Sequence, residues 1–252
     1  MIRVARIVCV LGKADNGKFD AHRVKLVFHD SKYEVSAYAK KLRNQEFLVE
    51  ILSALIGREI GLPIPEPIIA ISLDGNEVLF ASVDVEFPDL TRRLNVDNNK
   101  LMDTPENSAL LKKVSEWIHI YDAIGFDEWI ANDDRNLGNI LFDGKDKFFL
   151  IDHNQAMRLP FAPETPIDNK LLLIKLLFTQ DEVGKQRIKN HISAMVDGID
   201  PNLPESIVNR LLAQYPGLDR TILTSMVDFL HKRLGHIPEI ANQKIITHQM
   251  SL

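Results

Sequence analysis

Residues 131–157 read ANDDRNLGNILFDGKDKFFLIDHNQAM. A polar run containing Asn132, Asp133, Asp134, Asn136 and Asn139 gives way to the apolar run KFFLI, which ends on Asp152. Three readings compete. A solvated turn explains the Asp and Asn content, because both side chains hydrogen-bond their own backbone in turns. It leaves KFFLID unexplained, since a carboxylate closing a buried strand needs a partner or a metal. A calcium loop of the EF-hand kind needs a bidentate glutamate at its twelfth position. Counting from Asn132 or Asp133 puts Asp143 or Gly144 there instead.

The third reading accounts for both halves. Asp134 and Asn139 stand in the D-x-x-x-x-N spacing of a phosphoryl-transfer loop, and Asp152 follows Asn139 across a hairpin. In that arrangement Asp134 accepts or orients the proton of an acceptor hydroxyl, while Asn139 and Asp152 hold magnesium against ATP. A triphosphate is a dense anion, and magnesium prefers hard oxygen ligands on rigid supports. D-x4-N alone arises by chance; the hairpin and the Asp-ended apolar strand give the pattern its specificity.

Upstream of this segment the chain reads as a small sheet. VARIVCV, HRVKLVFHD and KYEVSAYAK are three β-rich runs separated by ADNGK and by Asp30-Ser31. Phe47, Ile51, Leu52, Leu55 and Ile56 then recur at helical spacing between about Asn44 and Ile60, with Gly61 and Pro63 as stop signals. PEPIIAISL and EVLFASVDV read as a hairpin turning at Asp74-Gly75-Asn76. From about Leu90 the character is helical. LLKKVSEWIHIYDAIGFDEWIAN places Leu110, Leu111, Val114, Trp117, Ile118 and Tyr121 on one broad face, and Trp117 and Trp129 read as core anchors. The quoted segment inserts two short strands, NILF and KFFLID, around Asp143-Gly144-Lys145. After Pro166 come helices at LLLIKLLF, around 182–196, at IVNRLLAQY and at TILTSMVDFLHKRL. The expectation is an α+β fold in two lobes: an antiparallel five-stranded sheet with one long helix over residues 1–88, and a larger, mainly helical lobe over 89–252. A cleft between lobes is a common ligand site.

Composition narrows the function classes. A net charge of -5 gives no footprint for nucleic acid or an anionic membrane. One cysteine, Cys9, excludes internal disulfides and thiolate zinc sites, and its place in RIVCV predicts a buried small hydrophobe. The eight histidines form no HExxH. No stretch is apolar enough for a signal or a membrane span, so the expected location is cytoplasmic.

NDDRNLGNILF followed by FLIDHNQAM resembles the HipA-like kinases, a branch of the protein-kinase-like superfamily in which N-x-D-R-x-x-G-N and I-D-H recur; it is similar, more distantly, to the phosphatidylinositol kinases with their D-R-x-x-x-N loop. YEVSAYAKKL resembles that family's strand ending in A-Y-V-K, and FLVEILSALIGREIGLPIPEP resembles its helix. The resemblance covers about residues 20–160. It implies a two-lobed protein-kinase-like fold, ATP and magnesium as cofactors, and a serine or threonine of a protein as acceptor, self-phosphorylation included. It assigns Lys40 to the α- and β-phosphates, with Lys41 as the rival one register step away. It assigns Glu50 to the acid that positions this lysine, with Glu46 one turn earlier as the alternative. Glu50 interrupts the apolar stripe of Phe47, Ile51 and Leu55, which favours an inward, partnered carboxylate.

Asp133 reads as a loop or capping acid. Arg135 suits a loop carboxylate, a phosphate or plain solvent, and Asn136 and Gly138 shape the loop. LGKADNGK, with Gly12 and Gly17, stands where a phosphate-covering loop belongs and equally suits a hairpin turn. ASVDV stands where a hinge would meet adenine. Two departures from ordinary protein kinases are plain: no His-Arg precedes Asp134, and His-Asn rather than Phe-Gly follows Asp152. Alternatives on the same residue set are a small-molecule or lipid-headgroup kinase and a nucleotide-binding pseudokinase. An antitoxin-type partner is a further expectation of the resemblance alone.

Overall fold

The computed structural model describes residues 2–14, 21–28, 31, 33–94, 104–158 and 162–250. Five strands come first: β1 (Arg3–Lys13), β2 (Ala21–Phe28), β3 (Glu34–Lys40), β4 (Pro67–Ile71) and β5 (Val78–Val83), with helix α1 (Asn44–Glu59) between β3 and β4. Alternation sends Val24, Leu26 and Phe28 of β2 inward, and Ala37 and Ala39 of β3 meet them. Alanines at 5, 37, 39, 70 and 81 give the interior little volume. Small inward residues let a sheet curl tightly, and this one closes into a barrel in the order β1-β2-β3-β5-β4.

That closure corrects the expected antiparallel sheet. β1 and β4 run parallel, from Arg3↔Ile68 to Arg6↔Ile71. Hydrophobic alternation fixes which face a strand buries but carries no information on which strand lies beside it. A second correction follows from the same edge. Pairing with β4 stops at Arg6, β1 continues to Lys13 beside β2 alone, and Cys9 is consequently exposed rather than buried.

Helix α1 starts with the Glu46 carboxylate accepting from the Arg43 backbone N–H at 3.2 Å and ends at Gly61, whose φ of +87° suits glycine. Beyond β5 come α2 (Leu90–Arg93), α3 (Pro105–Ser115) and α4 (Ile120–Trp129). The expected single face across LLKKVSEWIHIYDAI is in fact divided. The chain turns over residues 116–119, with Trp117 N–H donating to Val114 and Ile120 N–H to Trp117, so Trp117 enters the core while Ile118 is 85% exposed. Trp117 and Trp129 are core residues as expected.

The hairpin β6 (Ile140–Phe142) and β7 (Phe148–Leu150) follows, and then α5 (Lys170–Leu177), α6 (Glu182–Gly198), α7 (Leu203–Gln214), α8 (Arg220–Leu234) and α9 (Ile237–Met250). Helix α9, whose apolar residues are diluted by Asn242, Gln243 and Thr247, carries no strong periodic signal and was not expected. One continuous core joins α1 to the helices behind it, and no helix among the described residues is long and apolar enough to cross a membrane.

Candidate active site

The polar segment is held from below by a buried ion pair. Arg135 and Asp127 are both fully buried; Arg135 Nε and Nη2 each donate at 3.0 Å to the two carboxylate oxygens of Asp127 on α4. Arg135 Nη1 donates to the carbonyls of Asn139 (3.0 Å) and Ile151 (2.7 Å), and Asn132 donates to Asp127 at 3.1 Å. One guanidinium therefore ties the helix, the polar loop and the end of β7 together. Such bidentate, charge-assisted contacts fix direction as well as distance. The loop tightens further where Asn136 Oδ1 accepts from Gly138 N–H at 2.8 Å, and a Cβ on residue 138 would stand 2.9 Å from that oxygen. Asp133 pairs with Arg158 at 3.6 Å, a loop acid as expected, whereas Arg135 is a buried strut rather than a surface or phosphate-facing arginine.

Above this frame a lysine joins two acids. Ala37 and Ala39 point into the barrel, so Lys40 falls on the opposite face of β3, against α1. Its Nζ lies 3.0 Å from Glu50 Oε2 and 2.7 Å from Asp152 Oδ1, and 5.4 Å from the centre of the Phe80 ring. Lys41 is exposed and pairs with Glu77, and the Glu46 carboxylate caps α1, so neither takes part in this buried pair. Glu50 is 2% exposed on the buried stripe of α1. Its other oxygen, Oε1, accepts from the His153 backbone N–H at 3.1 Å and lies 3.3 Å from His153 Nδ1.

Asp152 adopts φ +61°, a left-handed conformation that costs a non-glycine residue on the order of 1–3 kcal/mol. This turn delivers the Asp152 carboxylate and the His153 ring to different neighbours. Burial opposes charge on Lys40, yet Glu50 and Asp152 outweigh it and raise its pKa. Burial opposes charge on Glu50 as well, but Lys40 and His153 hold its carboxyl well below the usual carboxylate range.

Lys40, Glu50, Asp134, Asn139 and Asp152 all line one cleft of about 360 Å³, together with Phe80 and Ser82–Val85 of the expected hinge. Asn139 Nδ2 donates to the Asp134 carbonyl at 2.9 Å, which fixes the direction of the amide, whose oxygen is the side chain's one acceptor atom. Lys40 engages one oxygen of Asp152. An amide oxygen and a carboxylate on one cleft wall fit a small hard cation that also takes ligands from phosphate. Among the described residues no group of three or more His, Cys, Asp or Glu could hold a metal by itself. Ala14 and Ala21 line the cleft where LGKADNGK borders it; Gly17 lies outside the described residues, and Gly12 belongs to β1.

Sequence reasoning did not single out Asp127 or assign a role to His153. The available signal for the first was FDEW, two adjacent carboxylates set between Phe126 and Trp129 in a largely apolar helix, where a buried carboxylate requires a partner.

A family model described as HipA-like kinase matches residues 7–205. Among solved structures, the chain is similar to that of a Helicobacter pylori proinflammatory kinase, CtkA, with 13% identity, a TM-score of 0.55, and 96% of this chain and 97% of that one covered. At that identity the likeness speaks for the fold alone. No curated protein sequence matches the chain significantly. With the family model spanning well over half of its length, the chain belongs to the HipA-like kinase family.

Proposed function

We propose that the protein transfers the γ-phosphate of ATP, with magnesium, to a serine or threonine hydroxyl of a protein, and that residues 1–88 and 89–252 act as two lobes closing on the nucleotide. The observation that carries this reading is Lys40 bridging Glu50 and Asp152 in a cleft that also holds Asp134 and Asn139. Lys40, fixed by Glu50, contacts the α- and β-phosphates. Asn139 and Asp152 hold magnesium, which supplies charge neutralisation across the phosphates. Asp134 accepts the acceptor's proton as the new oxygen–phosphorus bond forms and the bond to the β-phosphate's bridging oxygen breaks. Family membership supports the kinase; the protein acceptor rests on the resemblance of the polar loop and its following I-D-H to this family.

Incubation with γ-labelled ATP and magnesium tests the reading, with wild type beside Asp134→Ala and Asp152→Ala. Label on the wild type and a fall of at least about 100-fold in both variants is expected, since each substitution removes a group that acts on the reacting phosphate. Equal labelling in all three, or no nucleotide binding by the wild type, would sink it.

A further inference from the structure

Four side chains form a closed circuit of contacts. Asp152 meets Lys40, Lys40 meets Glu50, Glu50 meets His153, and the peptide bond returns to Asp152. The two Glu50 oxygens divide these contacts between them. Oε2 takes the lysine, and Oε1 takes both the backbone N–H and the ring of residue 153. A carboxylate oxygen only accepts, so in the 3.3 Å contact the ring's Nδ1 acts as the donor. The ring is fully buried and packs edge-on against Phe126 of α4, with centroids 5.8 Å apart. Its Nε2 finds no hydrogen-bond partner among the described residues, so the Glu50 contact is the one that orients the imidazole.

We propose that His153 is a positioning residue that holds α1 and Glu50 in place when Lys40 turns from Asp152 to the phosphates of the nucleotide. This rests on the kinase reading above. While Lys40 bridges the two acids, Glu50 is anchored from both sides. When phosphate draws the lysine away from Asp152, the contacts of Oε1 with residue 153 remain as the link between α1 and the turn after β7 that carries Asp152. The backbone N–H alone is a single contact on a strained turn; the ring adds a second, directional one. Phenylalanine at 153 keeps the packing on Phe126 and loses the donor. Asparagine places an amide nitrogen close to the position of Nδ1 and restores it.

The experiment compares wild type, His153→Phe and His153→Asn. Hydrogen exchange across α1 is measured with and without Mg·ATP, and ADP release from Mg·ATP is followed over a range of ATP concentrations. His153→Phe is expected to speed exchange in α1 and to lower kcat on the order of 10- to 100-fold, the range for one charge-assisted hydrogen bond, with KM for ATP changed by less than about 3-fold. His153→Asn is expected to recover most of both. Wild-type exchange and kinetics in His153→Phe overturn the proposal, as does failure of His153→Asn to recover them, which leaves a packing role. If the wild type turns over no ATP, the kinase reading fails by itself; the exchange comparison still decides whether residue 153 holds α1.

Discussion

Replacing Asp127 by asparagine is the most direct test of how the polar segment is held. The substitution keeps the shape and removes one charge from a pair in which both partners are fully buried. Of the two 3.0 Å contacts to Arg135, one oxygen survives; the other becomes an amide nitrogen facing a guanidinium N–H, donor against donor. Arg135 then keeps only neutral acceptors, the remaining amide oxygen at 127 and the carbonyls of Asn139 and Ile151, around a buried positive charge. Breaking a buried pair from one side costs about 3–5 kcal/mol, because the remaining charge stays desolvated. For a chain of this size about 1 kcal/mol moves Tm by about 2–4 °C, so Asp127→Asn should lower it by about 6–20 °C. Adding Arg135→Met removes the stranded charge. Stability should then recover in part, the two carbonyls still lacking their donor, with a coupling of about 2 kcal/mol or more in the double-mutant cycle. Thermal and urea unfolding followed by circular dichroism measure both quantities. A Tm within about 3 °C of wild type in Asp127→Asn, or simple additivity in the double variant, would refute the reasoning.

Three further outcomes are expected. Lys40→Ala should abolish labelling from ATP while Lys41→Ala changes it by less than about 2-fold, because an exposed pair such as Lys41–Glu77 contributes little; equal losses would return the assignment to Lys41. Glu50 has its folded pKa depressed below its ordinary 4.5, so its contribution to stability is fully present above that value and is lost as pH falls below it. Urea unfolding from pH 7 down to about 3 should accordingly show a steeper acid decline for wild type than for Glu50→Gln, and parallel curves would remove Glu50 from the linkage. In Gly57→Ala the new Cβ would stand 2.3 Å from Ile64 Cδ1 and 3.0 Å from Phe126 Cζ, and the overpacking should cost about 1–3 kcal/mol. Gly198→Ala, with nothing within 4 Å, should be neutral or slightly stabilising in the same melts.

What could be read from the sequence was what is local. The strands, α1 and the 140–150 hairpin follow from periods of two and 3.6 residues and from turn residues between them. The barrel closure was not legible, because β1 and β4 are brought together by the chain's return after α1 and not by any pattern within either strand. Lys40 and Lys41 are adjacent, and only the pairing of Lys40 with Phe80 and Ala21 decides which of them meets α1. Arg135 was ambiguous for a similar reason: its partner lies eight residues upstream, on a helix whose apolar majority masks the carboxylate. His153 was visible as a departure from Phe-Gly, but its contact with Glu50 spans 103 residues of sequence.

The last ninety residues, mute in sequence beyond their helical pattern, acquire a role from the neighbour of Asp127. On α4, consecutive residues project about 100° apart, so Asp127 and Glu128 address different surroundings. Asp127 turns to the polar loop; the fully buried Glu128 meets Arg233 of α8 and Lys244 of α9. Burial raises the Glu128 pKa in spite of these two cations, and it lowers those of Arg233 and Lys244, so the triad opposes its own ionisation and is a poor source of net stability. Its value is in direction. Arg233 also donates to the Glu128 carbonyl and to the carbonyls of Pro163 (2.7 Å) and Thr165 (2.8 Å). One side chain from α8 thus grips the helix from which the Asp134 loop departs and the segment that follows the Asp152 turn. The C-terminal helices brace both ends of the stretch that carries Asp134, Asn139 and Asp152, while the Asp127–Arg135 pair braces its middle.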